Sequence, residues 1–246
     1  MQTRGFGTEL VEDEMPLLFP GVQTERLDLD STRSRRAYER ILGNFESGKT
    51  QILVGTQMLS KGLDFEKVGL VGILNADQML NFPDFRAFER SFQLMAQVSG
   101  RAGRKKDRGM VIIQTSHPEH PVLQFVINND LAGFYREQTE ERQAFHYPPF
   151  ARMIRIQIKA VKRENAFEAA RLLGTALRDI FGKRVLGPHP PVVSRVKNRY
   201  IEQLILKIER KASFERAKRL LSECMETLHR DGRLKNVRIN IDVDPL

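Results

Sequence analysis

Cysteine and long apolar runs are scarce in this sequence. Among its 246 residues there is one cysteine, Cys224. A single cysteine cannot form an internal disulfide, and it excludes a zinc site built from a cysteine cluster within this chain. No apolar run approaches the roughly 20 residues that span a bilayer, and residues 1–10 lack the apolar core of a signal peptide. The sequence therefore predicts a cytoplasmic protein without membrane attachment.

The positive charge is concentrated towards the carboxyl terminus. The formal net charge is +9, to which residues 1–116 contribute +1, residues 117–150 contribute −3 and residues 151–246 contribute +11. A basic domain beside a near-neutral one indicates a polyanionic partner such as nucleic acid. A Lys/Arg-rich surface that only maintains solubility explains the charge equally well, so charge alone leaves both interpretations open.

Residues 1–116 alternate between strand and helix patterns. Helices are predicted at 33–45, with Ser31 or Thr32 as the cap, and at 84–98. Continuous apolar runs of the buried-strand type occur at 52–57, 68–74 and 109–115. Such alternation predicts an α/β fold, a parallel sheet with helices on its faces. A mostly helical connector is predicted at 117–150, with a domain boundary at its end.

Residues 151–246 follow a β-α-β-β-α-β order, which predicts a ferredoxin-like domain. The predicted strands are 152–161, 185–196, 200–209 and 237–243. In the first strand, basic and apolar residues alternate, which predicts one wet and positive face. Because many functions occur on this fold, the fold by itself does not define the activity.

Residues 43–50, GNFESGKT, match the Walker A phosphate-loop pattern, which would make Lys49 a phosphate ligand and Thr50 a magnesium ligand. A phosphate loop follows a strand and precedes a helix, so that helix-start amides point at the phosphates. Here a helix precedes the pattern and a strand follows it. We therefore interpret the segment as a turn in which Gly48 ends the helix.

Two other segments contain the residue types of a nucleotide site. Residues 55–77 place a short loop at the carboxyl end of a strand, where α/β sheets bind ligands. Residues 97–104, QVSGRAGR, place Arg101 and Arg104 three positions apart with flexible glycines between and before them. Two converging guanidinium groups suit a phosphate whose charge is redistributing. The ordinary alternative, a solvated helix end, is disfavoured by the glycine pairing and the preceding Gln97.

These two segments resemble helicase motifs V and VI, in the form found in the primosomal protein N′ family of superfamily 2 DNA helicases. The motif V block GTQMLSKGLDF is specific for this family. The agreement covers essentially the whole chain, because it extends to residues 5–20, 77–89, 142–150, 185–190 and 242–245. The fold that the resemblance implies is a partial RecA-like helicase lobe over residues 1–116, with a basic DNA-binding domain at residues 151–246.

The resemblance also implies an ATP-dependent 3′-to-5′ helicase that recognises stalled or abandoned replication forks and initiates primosome assembly. It places Arg101 and Arg104 at the ATP γ-phosphate with Gln97 beside them, Gly62 and Asp64 near the nucleotide sugar, and Thr56 and Gln57 towards the bound strand. In this family the Walker A lysine lies on a first lobe, and nothing in this sequence matches that lobe. Binding of ATP with Mg²⁺ is therefore expected to need the first lobe. The family's zinc modules also precede this segment. We therefore expect an amino-terminally truncated piece that does not hydrolyse ATP alone.

In this family the carboxy-terminal domain binds forked and single-stranded DNA. We expect the contacts at the hairpin with Arg195, Lys197 and Arg199, supported by Arg152 and Arg155. The contacts should be mostly to phosphate. The acidic tail of the single-stranded DNA-binding protein is expected to dock on this domain, with Arg216 or Lys218 as contacts, and other primosome proteins are expected partners.

Two further interpretations stay open from the sequence. One is a non-catalytic nucleic-acid-binding protein with a vestigial motor lobe, and the other is a phosphate-loop NTPase that uses Lys49. Three smaller features have structural interpretations. The stripe Phe88, Phe92 and Met95 is expected to pack in a core, Tyr200 is expected to pack rather than stack on a base, and Asp242 and Asp244 are expected at an exposed strand end.

Overall fold

The computed structural model describes the chain except for residues 1–6, 29, 33, 57–67, 101–108, 231, 233–235 and 246. It divides into two compact units, Met1–Phe134 and Tyr135–Leu246. This division lies within the connector that the sequence predicts at residues 117–150, and the three-part organisation stays a prediction. Across the described ranges, no helix combines the length and apolar character needed to cross a membrane.

The first unit alternates helices and short strands. In chain order its elements are α1 (Thr8–Leu18), β1 (Thr24–Leu27), α2 (Arg35–Glu46), β2 (Ile52–Gly55), β3 (Leu70–Ile73), α3 (Ala76–Leu80), α4 (Ala87–Ser99), β4 (Met110–Ile113) and α5 (Pro121–Ile127), followed by α6 (Leu131–Ala144), which continues into the second unit. Strand β1 pairs with β2, and β3 pairs with β4, both in parallel. Parallel neighbours connected through helices are the pattern expected of an α/β fold.

The start of α2 differs from the prediction. Its cap is Ser34, whose hydroxyl accepts the backbone N–H of Ala37, and not Ser31 or Thr32. The hydroxyls of Ser31 and Thr32 instead bond the backbone of Asp28 in the turn that follows β1. Short polar side chains can bond nearby backbone in this way, and the competition moves the helix start.

The predicted burial of β3 and β4 is only half right. Ile73 and Ile113 pack against a core formed by α3, α4 and α5, which contains Phe92 and Met95. The alternate residues Leu70, Met110 and Ile112 are 59%, 61% and 53% exposed. Successive strand residues point to opposite faces, and the described helices cover one face of this strand pair.

The second unit forms an antiparallel sheet covered by two helices. Its elements are β5 (Ala151–Ala160), α7 (Arg163–Phe181), β6 (Val185–His189), β7 (Arg195–Val196), β8 (Arg199–Glu209), α8 (Phe214–Arg230) and β9 (Arg238–Val243). The main strand order is β6-β8-β5-β9, and β7 pairs with β8. This order with two crossover helices is a ferredoxin-like sheet, so the predicted fold class is confirmed.

The core of this unit lies between the sheet and its two helices. Ile154, Ile156 and Ile158 on β5 are fully buried with Leu204 and Leu206 on β8, each side chain contributing about 1.5–3 kcal/mol by burial. The buried face of helix α7 combines small residues, among them Ala170 and Gly174, with larger ones such as Leu173. A Cβ on Gly174 would lie 3.1 Å from Leu204 Cδ2, so a larger residue there would displace the core.

The predicted strand at 185–196 is broken in the structure. Strand β6 ends at His189, and β7 begins at Arg195. Pro190 and Pro191 follow His189 directly. Proline has no N–H to donate to a sheet ladder, so the pairing stops there and resumes only at the hairpin.

Candidate nucleic-acid interface

Most of the residues predicted to bind the nucleotide lie outside the described residues: Gly62, Asp64, Arg101 and Arg104. Gln57, predicted to face the bound strand, also lies outside them. Their roles therefore stay predictions. Two predicted neighbours in these motifs are described. Thr56 is exposed directly after β2, and Gln97 is exposed near the end of α4.

Helix α4 holds Gln97 on its outer side because the opposite side is anchored in the core. Phe92 is 2% exposed, and its ring stacks on that of Phe134 with centroids 4.2 Å apart. Met95 is fully buried, and Phe88 packs against the same cluster. The expectation that this stripe packs in the core is confirmed.

The structure confirms that residues 43–50 are the last turn of a helix followed by a turn, and not a phosphate loop. Helix α2 ends at Glu46, Gly48 has a φ of +78°, and β2 begins at Ile52. The hydroxyl of Thr50 is buried and donates to Oε2 of Glu25 at 2.7 Å, so it does not point to where a magnesium ion would bind. Lys49 is exposed. The strand-loop-helix order that a phosphate loop needs is inverted here.

Glu25 accepts hydrogen bonds from several side chains at this turn. Burial by itself would raise the pKa of Glu25, but hydrogen bonds from Thr50, Asn44 and Arg40, together with the Arg40 charge, hold it below its ordinary value. The Arg40 guanidinium lies 2.8 Å from Oε1. A charged Glu25 therefore ties α2, the turn and β1 together.

Asp77 connects the carboxyl ends of β3 and β4, a role that was not predicted from the sequence. Its Oδ1 accepts the hydroxyl of Thr115 at 2.5 Å, and its Oδ2 accepts the backbone N–H of Ser116 at 2.8 Å. The Thr115 hydrogen bond first, and then those from Ser116, lower the pKa of Asp77 to about 2. The sequence signal that could have identified Asp77 is an aspartate that follows a predicted strand and lies in the first turn of a helix.

The structure brings Arg195, Lys197 and Arg199 together on one hairpin. Strands β7 and β8 are connected by Lys197 and Asn198, whose φ values of 47° and 58° match a type I′ turn. Arg195 and Lys197 are exposed, and Arg199 is half-buried. The tip therefore presents three cations within five residues, as predicted from the sequence.

Tyr200 is not a core residue. It is half-buried, and the guanidinium of Arg195 lies 4.9 Å from the centroid of its ring. Arg195 also hydrogen-bonds the side-chain oxygen of Asn198. The expectation of core packing was wrong, because the ring of Tyr200 contacts Arg195, its partner on β7. Its ring positions a hairpin cation.

Arg152 and Arg155 do not share one positive face. Residues three apart in a strand point to opposite faces. Arg152 lies on the helix-covered face, with its guanidinium 3.6 Å from the centroid of the Phe214 ring and 2.7 Å from Oδ2 of Asp244. Arg155 lies on the other face and is 2.5 Å from Oδ2 of Asp242.

These two ion pairs also revise the expectation for the last strand. Asp244 accepts two hydrogen bonds from Arg152 and one from the backbone N–H of Met153, and Asp242 accepts one from Arg155. Both carboxylates fix β9 to β5, although their side chains are 41% and 48% exposed. At this exposure each pair contributes about 1 kcal/mol or less.

Comparison with known proteins shows which family the chain is similar to. Residues 8–106 match the helicase conserved C-terminal domain, and residues 143–246 match the primosomal protein N C-terminal domain. The chain is 37% identical to replication restart protein PriA of Bacillus subtilis over 243 residues, which is 98% of this chain and 30% of that protein. It is 39% identical to PriA of Treponema pallidum over 245 residues, 98% of this chain and 36% of that protein.

The two domains, in this order, make the chain a helicase-family protein with a primosomal carboxy-terminal domain. PriA of Haemophilus influenzae is also similar, at 36% identity over 245 residues, 99% of this chain and 33% of that protein. The chain belongs to the PriA family, as the resemblance in the sequence predicted. It spans about a third of the length of these curated relatives.

Proposed function

We propose that this chain forms the second motor lobe and the fork-binding domain of an ATP-dependent 3′-to-5′ DNA helicase. The complete protein would recognise stalled or abandoned replication forks and initiate primosome assembly for replication restart. The observation that supports this most directly is the exposed basic hairpin, which lies in the region that matches the primosomal C-terminal domain. The relatives' names, which refer to replication restart, support the biological role.

DNA binding is proposed to centre on the hairpin cations Arg195, Lys197 and Arg199. They are flanked by the exposed side chains of Val192 and Val193, so the tip is both charged and apolar. Contacts from such a tip would reach mostly phosphates and would be weakly selective for sequence. A protein that responds to the shape of a fork needs this kind of contact. Arg155 is a weaker candidate because Asp242 neutralises it.

ATP hydrolysis is proposed to need residues of a first motor lobe. The one Walker A pattern in these 246 residues forms a turn that does not fit a phosphate. In the complete enzyme, Arg101 and Arg104 would bind the γ-phosphate with Gln97 nearby, and Gly62 and Asp64 would lie near the sugar. Thr56 and Gln57 would face the bound strand. ATP would bind with Mg²⁺, and zinc would belong to another part of the family protein.

The acidic tail of the single-stranded DNA-binding protein is a proposed partner of α8. Arg216 and Lys218 are exposed on its first turns. Beside them, Arg152, Arg210 and Phe214 line a shallow depression. Arg152 is already paired with Asp244, so Arg210 and Lys218, which lies over the Phe214 ring, are the cations that suit an acidic peptide here. Other primosome proteins are proposed partners by family.

The test is binding of this chain to a forked DNA over a salt series, with ATPase measured in parallel. We expect salt-dependent fork binding without ATPase. A variant with Arg195, Lys197 and Arg199 changed to Gln should bind more weakly, and the slope of log affinity against log salt should fall by about 1–3. The matched control changes three exposed cations of the first unit to Gln: Arg35, Arg36 and Lys49.

Two outcomes would overturn the proposal. Absence of DNA binding, or equal losses in the hairpin and control variants, would remove the fork-binding role. If the chain hydrolyses ATP and Lys49→Ala abolishes this activity, residues 43–50 are a working phosphate loop and not a turn. In the complete enzyme, Arg104→Ala should abolish ATPase. DNA binding without ATPase even after a first lobe is supplied would instead indicate a non-catalytic nucleic-acid-binding protein.

A further inference from the structure

The sheet of the second unit has one face that α7 and α8 leave uncovered. Both helices pack on the face that contains Ile154, Ile156 and Leu204. The alternate residues point the other way, and we call this side the open face. At one end of it, Lys207 donates to the backbone oxygen of Phe145 and contacts the Tyr147 ring. The middle and the opposite end present polar side chains together with Ile205, which is half-buried, and Ile201, which is 5% exposed.

Three carboxamides form a row across the open face. Gln157 on β5 is directly opposite Gln203 on β8 and Asn240 on β9. Gln203 hydrogen-bonds Nε2 of His189 at 2.8 Å. Within the part of the chain that the structure describes, the carboxamides of Gln157 and Asn240 hydrogen-bond no protein group. Each therefore presents free donors and acceptors, the groups that recognise base edges.

Two cations form a second row towards the hairpin, because Lys159 on β5 is opposite Arg238 on β9. On β8 the same row is occupied by Ile201, which is 5% exposed, and a third cation, Arg199, lies two positions before it on the same face. Within the described ranges, none of the three has an acidic partner within ion-pair distance. The two rows are separated by two strand residues, or about 7 Å. Further along the face, Arg155 and Asp242 neutralise each other, so the net positive charge lies at the hairpin end.

We propose that the open face binds an unpaired DNA strand, with phosphates along Arg199, Lys159 and Arg238 and base edges against Gln203, Gln157 and Asn240. This inference rests on the DNA-binding role proposed above and extends it to a second surface. A duplex is a poorer partner, because the Watson–Crick edges of its bases are already paired and are not available to the carboxamides. The unpaired bases of a single strand can be splayed out, about two or three at a time, so that their hydrogen-bonding edges reach side chains of such a sheet.

The test compares a 20-nucleotide mixed-sequence single strand with the blunt duplex of the same sequence, using fluorescence anisotropy and the full chain. The Gln157→Met, Asn240→Leu double variant should bind the single strand about tenfold more weakly with an unchanged salt slope. Its duplex binding should be unchanged. The Lys159→Gln, Arg238→Gln double variant should lower the single-strand salt slope by about 1.4. The matched control is Gln143→Met, an exposed carboxamide on α6.

The outcomes separate this inference from the proposed function. If the unchanged chain does not bind DNA, the proposed function fails. If the chain binds DNA but the carboxamide variant matches the control on single strands, the open face is not the binding surface while the hairpin proposal stands. An equal loss on duplex and single strand would also overturn the inference. Circular dichroism and urea unfolding of each variant show whether a loss comes from misfolding, and a misfolded double variant is replaced by Gln157→Met alone.

Discussion

A Thr50→Val variant removes one hydroxyl while nearly preserving the shape of the side chain. Thr50 is 4% exposed, and its hydroxyl donates to Glu25 at 2.7 Å. In a phosphate loop the same hydroxyl would bind magnesium and would be exposed in the empty protein. The variant therefore tests whether this residue stabilises the fold or binds a ligand.

The expected loss of stability follows from the contacts of Glu25. A hydrogen bond to a charged group contributes about 1.5–3 kcal/mol. Glu25 retains Asn44 and Arg40 as donors in the variant, so the carboxylate is not left without partners. We therefore expect Thr50→Val to lower the free energy of unfolding by about 1–2 kcal/mol. Thr50→Ser should restore most of it, because the hydroxyl is retained.

Lys49 supplies the contrasting control. It is exposed, so Lys49→Ala should change the free energy of unfolding by about 0.5 kcal/mol or less. Urea unfolding at pH 7, followed by circular dichroism, measures all three variants, and binding of a fluorescent ATP analogue with Mg²⁺ is measured in parallel. A purely structural role for Thr50 is excluded if Lys49→Ala destabilises the chain as much as Thr50→Val, or if the chain binds the nucleotide and Lys49→Ala abolishes that binding.

Three further predictions address other parts of the molecule. The pKa of Asp77 is about 2, against an ordinary value of 3.8, so the stabilisation from its charged form should be present above pH 4 and lost as the pH falls towards 2. Asp77→Asn should remove this pH dependence. Urea midpoints of the variant and the unchanged chain that differ by the same amount at every pH between 2 and 6 would contradict the prediction. Phe92→Ala should lower the free energy of unfolding by about 3–5 kcal/mol, because Phe92 is buried against Phe134; a loss below about 1 kcal/mol in urea unfolding would show that the stack is not part of the core. Asp242→Asn should release Arg155 and raise the single-strand salt slope by about 0.7, and an unchanged slope in the anisotropy assay would argue against DNA on the open face.

The sequence predicted the elements of the second unit because each carries a clear pattern. Strand β5 alternates apolar and polar residues, α7 presents a stripe of small and apolar residues, and the order of the elements fits one known arrangement. The family was also readable, since motif V is long and specific. Even the misleading Walker pattern could be rejected, because the order of helix and strand around it does not depend on tertiary contacts.

The partners of side chains across the sheet could not be predicted from the sequence. The spacing of Arg152 and Arg155 already places them on opposite faces of a strand, but it does not show their partners. Which aspartate neutralises each of them depends on β9, about 90 residues away. The same limit applies to the exposed faces of β3 and β4, because an apolar run shows a preference for burial but does not show which neighbours cover it.

Local chemistry therefore determined where strands, helices and turns form and which family the chain belongs to. Strand register was decided only in three dimensions, because it depends on contacts between distant segments. Register places Gln157 between Gln203 and Asn240, three carboxamides that nothing in their local sequence connects. It is this tertiary pairing that turns scattered polar residues into a candidate surface for an unpaired DNA strand.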